Sequence, residues 1–227
     1  APVLGFGAFG AVALNVFHLA PLTSLTVFWV SVLAVICARL AGRLSPLPLF
    51  HASVQPPASW FACAAAIALV APLTLLPQEF GAGIGMGVPI FDHVKIAIVD
   101  EIAQNGVPPE NPFYSSAASD KRLVYYYLWY LIAAFGSVVT GATGWEADIA
   151  LTFCTALSSI LLMGWLTATL SGGWRAAWWL LLFLLASTLL HMISRVTGPW
   201  LGGTMIPGHG LELWLEQAAW VPQHLFS

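Results

Sequence analysis

Apolar runs about as long as a bilayer is thick, about 20 residues at about 1.5 Å of rise each, recur along this chain and leave it few folds to choose from. Five segments are nearly free of charge: roughly 2–18, 24–42, 59–77, 147–170 and 176–194. A sixth, 123–142, opens LVYYYLWYLIAAFG, and so dense a Tyr/Trp cluster suits the headgroup level of a membrane better than its centre. Runs of this length predict spanning helices, which satisfy their backbone groups internally, and they lack the short alternating pattern of a membrane barrel. Composition closes the water-soluble alternative: 59% of residues are hydrophobic, 7% are charged and mean hydropathy is +0.85, too little polar surface to face water. The expected fold is all-α, a polytopic helical integral membrane protein with five to six transmembrane helices and an extracytoplasmic loop carrying an amphipathic interfacial helix.

A net charge of -3 with no basic stripe excludes nucleic acid as a partner and leaves membrane lipid and other membrane subunits. Cys37, Cys63 and Cys154 each fall inside an apolar run at no metal-binding spacing, so they read as packing residues. Arg39 and Arg43 follow the second helix, which makes the 39–58 loop cytoplasmic and 78–122 extracytoplasmic in a multi-pass inner-membrane protein. If 123–142 crosses fully, Arg175 in the SGGWR turn faces outward, against the positive-inside tendency; if it only dips into the interface, Arg175 faces the cytoplasm. The second topology is preferred and returns 195–227 to the side of 78–122. The chain thus divides into N-terminal transmembrane helices (1–77), a charged loop (78–122), an aromatic interfacial segment with further helices (123–194) and a Trp/His-rich extracytoplasmic segment (195–227). Starting at Ala1 without a methionine and stopping inside that polar segment, it is compatible with a fragment or with a partly ordered chain. GAGIGMG, 81–87, has no strand–helix–strand surroundings to make it a nucleotide loop and reads as a flexible linker.

Residues 91–122 hold 8 of the chain's 17 Asp, Glu, Lys and Arg residues. Within them, 92–106 predicts a short helix with Asp92 as N-cap and Gly106 as stop. On a wheel His93, Asp100, Glu101 and Gln104 share one side, and Ile96, Ile98, Val99, Ile102 and Ala103 the other, so the helix is expected to lie on the membrane surface. Asp92 and Lys95 break the pattern by projecting on the apolar side. Either Asp92 caps the helix and Lys95 snorkels, or the two are partners or part of a site, because a carboxylate facing an apolar interior is costly unless paired or in reach of water. Pro108, Pro109 and Pro112 then force an extended path. Asp120, Lys121 and Arg122 precede the aromatic segment, where the cations meet lipid headgroups or hold a phosphate.

An apolar helix, an Asp with an amphipathic helix, a Gly, a Pro-containing strip, a basic residue and YYYLWY together resemble the first extracytoplasmic loop of GT-C-fold glycosyltransferases, which take sugar from a polyprenyl-phosphate carrier. YYYLWY preceded by PPENPF also resembles uncharacterised prokaryotic membrane proteins named for a Tyr-Tyr-Tyr motif. The likeness covers about 50 residues, 89–140. It implies Asp92 as catalytic base, Lys95 as the neighbouring basic residue, Glu101 as the following acid, and Lys121 or Arg122, beside Tyr126, as the contact to the lipid donor's phosphate. Here His93 follows the aspartate where the family has another acid, and the prolines lie earlier than the family's Lys-Pro-Pro. A polyprenyl-phosphate sugar carries its own leaving group, so one base and cations for the departing phosphate suffice.

The stretch 191–227 holds three of the six histidines. His209, Glu212, Glu216 and His224 are candidates for a divalent metal ion, although their spacing is unspecific and Glu212 with Glu216 is equally a solvated helix face. His18, His51 and His191, near helix ends, read as interfacial or hydrogen-bonded structural residues. Glu146 and Asp148 in GWEADIA read as caps of a helix start. Two functions follow: a glycosyltransferase-like enzyme, or a non-catalytic membrane subunit whose Trp-rich helices pack against a larger complex. A transporter fits less well, since the Asp, Glu and Lys residues cluster outside the helices.

Overall fold

The computed structural model describes residues 2–44, 55–73, 75–80, 83–86, 92–113, 122–125, 127–197, 214, 217 and 218. Its elements are α1 (Pro2–Phe17), α2 (Ser24–Leu44), α3 (Ala58–Ala68), α4 (Val70–Leu73), β1 (Pro77–Phe80), β2 (Gly83–Met86), α5 (Asp92–Asn105), α6 (Leu128–Thr140), α7 (Gly144–Ser171) and α8 (Trp174–Thr197). The fold is helical, as expected. The two short strands form one antiparallel hairpin with Pro77 opposite Met86, so the glycine-rich stretch read as a linker contributes a strand in which glycine alternates with Ile84 and Met86. Segment 59–77 is broken rather than continuous, because Pro72 has no N–H to donate to Ala68 and the ladder is interrupted at α3–α4.

Among the described residues, α7 is the one helix long and apolar enough to cross a membrane; the apolar stretches of the other helices run 10–17 residues. At about 1.5 Å per residue its 28 residues reach about 42 Å. It starts three residues earlier than the hydropathy suggests because Thr143 and Glu146 form a capping box. The Thr143 N–H donates to Glu146 Oε2 at 2.8 Å, and the Glu146 N–H donates to Thr143 Oγ1 at 3.3 Å.

The chain divides into two compact units, residues 1–51 with 87–151 and residues 52–86 with 152–227. In the first, α6 is the packing centre and carries contacts from α1, α2 and α5. Trp129 and Tyr130, expected at headgroup level, are 4% and 2% exposed. Tyr130 meets Trp129 edge-on at 5.4 Å, and Phe135 receives Phe17 at 5.1 Å and Phe9 at 6.0 Å. Gly10 lets α1 close on Leu128 and Ile132 of α6. By contrast, α2 leaves Leu25, Phe28, Trp29, Leu33, Ile36 and Leu40 exposed, an apolar surface too continuous for water.

In the second unit, the fully buried Trp60 of α3 donates from Nε1 to the Ala177 carbonyl of α8 at 3.0 Å and stacks obliquely on Trp174 at 4.7 Å. Its ring lies against Gly164 of α7, where no Cβ fits. Trp214, from the segment expected to be a polar outer cluster, is buried here and donates from Nε1 to Ser159 Oγ at 3.1 Å. The indole N–H thereby finds a partner at the middle of an apolar helix. Cys37, Cys63 and Cys154 are free and exposed, contrary to the packing role expected of them: each falls on a helix face that the unit does not cover. We expect Gly164→Ala to destabilise the protein by about 1–3 kcal/mol through overpacking against Trp60. Gly173→Ala, where nothing lies within 4 Å, stays within about 0.5 kcal/mol of wild type. Thermal unfolding of the two variants in lipid nanodiscs checks the contrast.

Candidate functional site

The charged loop folds as expected into a helix, α5, which Gly106 ends in the left-handed conformation (φ +83°) while its N–H donates to the Ile102 carbonyl at 2.8 Å. Lys95, Ile98, Val99 and Ile102 form one buried stripe at helical spacing, and α5 packs by it on α6. The helix therefore spends its apolar face on the protein and does not lie with that face in lipid, which corrects the interfacial reading.

Lys95 is the polar member of the stripe. Its Nζ sits 3.6 Å from Asp148 Oδ2, with the two side chains only 4% and 0% exposed. Asp148 is thus no helix cap. It stands beyond the first turn of α7, where a carboxylate no longer reaches the orphan N–H groups, and it answers the buried ammonium instead. A second tie runs alongside: Asp100 Oδ1 accepts from the Gly144 N–H at 2.9 Å. The contact is so close that a Cβ on Gly144 would overlap the Asp100 carboxyl. Two acids and one lysine thus lock α5 to the start of α7. Sequence reading missed this pairing, although one signal was present: Asp148 is the acid that lies inside the apolar run beyond the capping box.

Glu101 has a structural engagement. Its Oε1 accepts from Asn105 Nδ2 at 2.9 Å and from the Glu110 N–H at 3.3 Å, bracing the proline strip against α5. The strip turns back through a backbone bridge between Glu110 and Arg122, and the Leu123 N–H donates to the Pro109 carbonyl at 2.9 Å. Exposed Arg122 is thereby held near α5 through the Glu110 bridge. Tyr127, just before α6, lies 3.4 Å from His18 Nε2. Burial pushes its phenol above the usual value, with the Arg122 guanidinium pulling the other way. His18 is a hydrogen-bonded residue at a helix end, as expected.

The structure brings Lys95, Glu101 and Arg122 into one unit around α5. Asp92 is the first residue of α5, one turn before Lys95, with its side chain outside the described residues; the backbone agrees with a helix start at that position. Lys121, Tyr126, His209, Glu212, Glu216 and His224 also lie outside the described residues. Among the described residues no group of three or more His, Cys, Asp or Glu could hold a metal ion.

No family model matches the chain, and no solved structure matches it. Over 226 residues, 100% of this chain, it is 46% identical to the "Uncharacterized protein y4nK" of Sinorhizobium fredii. The chain spans about a third, 34%, of that relative's length. Lys95→Met is expected to destabilise the protein by about 3–5 kcal/mol because it removes the ammonium beside a buried carboxylate, and Lys95→Met with Asp148→Leu to recover most of that loss. Thermal unfolding of the full-length protein reads both; an undisturbed Lys95→Met single variant would contradict the pairing.

Proposed function

We propose that this chain belongs to a multi-pass inner-membrane protein, crossing five to six times, that transfers a sugar from a polyprenyl-phosphate donor on the extracytoplasmic face. The observation that carries the reading is the clamp on α5. Asp92 begins a helix whose next turn is held by a buried ion pair and whose last turn is braced by Glu101. A general base works only from a fixed position within hydrogen-bond reach of its proton, and a doubly anchored helix end offers one. In this scheme the Asp92 carboxylate takes the proton of the acceptor hydroxyl as that oxygen bonds to the sugar's anomeric carbon. The bond from that carbon to the carrier phosphate breaks, and Lys121 and Arg122 hold the departing phosphate. Lys95 and Glu101 act at one remove, as positioning residues.

Two further facts support the membrane setting. Large apolar side chains stand exposed on α2 and on α8, among them Trp29, Phe28, Trp179 and Phe183, which suits acyl chains and not water. The α1–α2 turn, at the end of α2 opposite Arg39, lines one cleft with the C-terminal end of α5. Arg39 on the cytoplasmic side is therefore consistent with an extracytoplasmic charged loop.

A non-catalytic membrane subunit is the second reading, favoured by the near-continuous apolar exposure of α2 and by the chain's spanning only 34% of its relative's length. There the same surface packs on further protein. Transfer from radiolabelled polyprenyl-phosphate sugar by the full-length protein separates the two. Asp92→Asn is expected to lower the rate at least about 100-fold with expression and unfolding temperature unchanged; undiminished transfer would reject the base assignment.

A further inference from the structure

We propose that the cleft between the α1–α2 turn and the C-terminal end of α5 binds a neutral, hydroxyl-bearing ligand: the ring of a sugar or a polyol headgroup. The cleft has a volume of about 320 Å³ and lies wholly within the first unit. That is the lower end of the range for small-molecule sites, room for one ring and little more. Among the described residues that line it there is no Asp, Glu, Lys or Arg. Its polar groups are the amides of Gln104 and Asn105 and the imidazole of His18. An amide and a neutral imidazole each both donate and accept, as a hydroxyl does, whereas an anion needs donors alone.

The backbone points the same way. Helix α5 ends at Asn105, and the last carbonyls of a helix carry partial negative charge with no intrahelical partner. They favour a hydroxyl proton and disfavour phosphate. The polar groups are also held: Asn105 donates its amide N–H to Glu101 at 2.9 Å, which leaves its carbonyl oxygen to accept, and His18 is paired with Tyr127. Pro21 and Leu22 also line the cleft, whose surface is mainly polar, while Phe17, 3% exposed, offers a ring little surface. One restrained amide, a second amide and an imidazole on a mainly polar surface suit the hydroxyl edge of a ring or polyol.

The site is independent of the catalytic reading. Arg122 is not among the described residues that line it, and its test contains no transfer step. Saturation-transfer NMR on the full-length protein in nanodiscs, with methyl glucoside, methyl mannoside, glycerol and inorganic phosphate as probes, measures binding. We expect transfer to a glycoside or to glycerol and none to phosphate. Gln104→Leu, which removes one hydrogen-bonding amide, and Ala20→Trp, which fills the space, should each weaken binding about tenfold or more with unfolding temperature unchanged. Doping the nanodiscs with a monoglycosyl diacylglycerol identifies the source: suppression of the glycoside signal assigns the site to a lipid headgroup, persistence to a free sugar. Absence of transfer to every hydroxylated probe, affinity unchanged in either variant, or preferential binding of phosphate would overturn the proposal.

Discussion

The ion pair between Lys95 and Asp148 is the constraint from which the arrangement around the charged loop follows. Each charge alone would be intolerable where it sits, since both side chains are almost wholly withdrawn from solvent in a chain with few polar groups to offer. Together they permit a lysine to occupy the core-facing stripe of α5 beside Ile98, Val99 and Ile102. Attraction at 3.6 Å does little more than offset the desolvation of two ions. What the pair adds is direction: it fixes which face of α5 meets the start of α7, and Asp100 at the Gly144 N–H repeats the instruction one turn on.

In the second unit the described core packs around buried indoles. A fully buried indole is set against a glycine on the neighbouring helix and donates to a backbone carbonyl, so that close approach and hydrogen-bond satisfaction come from the same residue. Small residues opposite large ones are how helices associate where lipid removes the hydrophobic drive between them. Trp214 on Ser159 repeats the device. The two units thus combine the same surroundings, apolar helices with exposed Leu, Phe and Trp, with two kinds of internal glue.

Helix content and most helix positions were legible because the apolar runs are long and the punctuation is strong: Gly106 and Gly141 end α5 and α6 in the left-handed conformation. The break at Pro72 and the hairpin at 77–86 were less so, since hydropathy averages over a proline and treats glycine as linker. The apolar side of α5 was read correctly, Lys95 included, but its covering was assigned to lipid because a wheel shows which face is buried and not what buries it. The sequence offered Asp92, one turn away, as a companion for Lys95; the described ion pair is with Asp148, 53 positions on, a pairing that only tertiary contact creates. Trp129 and Tyr130 were assigned to headgroup level by residue type and Trp214 to an extracytoplasmic segment; each is buried within its unit.

A structure of the full-length protein in lipid nanodiscs, determined by electron cryomicroscopy, tests the central claim most directly. The expected result is Lys95 Nζ within about 4 Å of the Asp148 carboxylate, inside protein, with the Leu, Phe and Trp side chains of α2 on the lipid or on further helices of the chain. Lys95 reaching bulk water, with Asp148 turned back onto the first turn of α7, would contradict it.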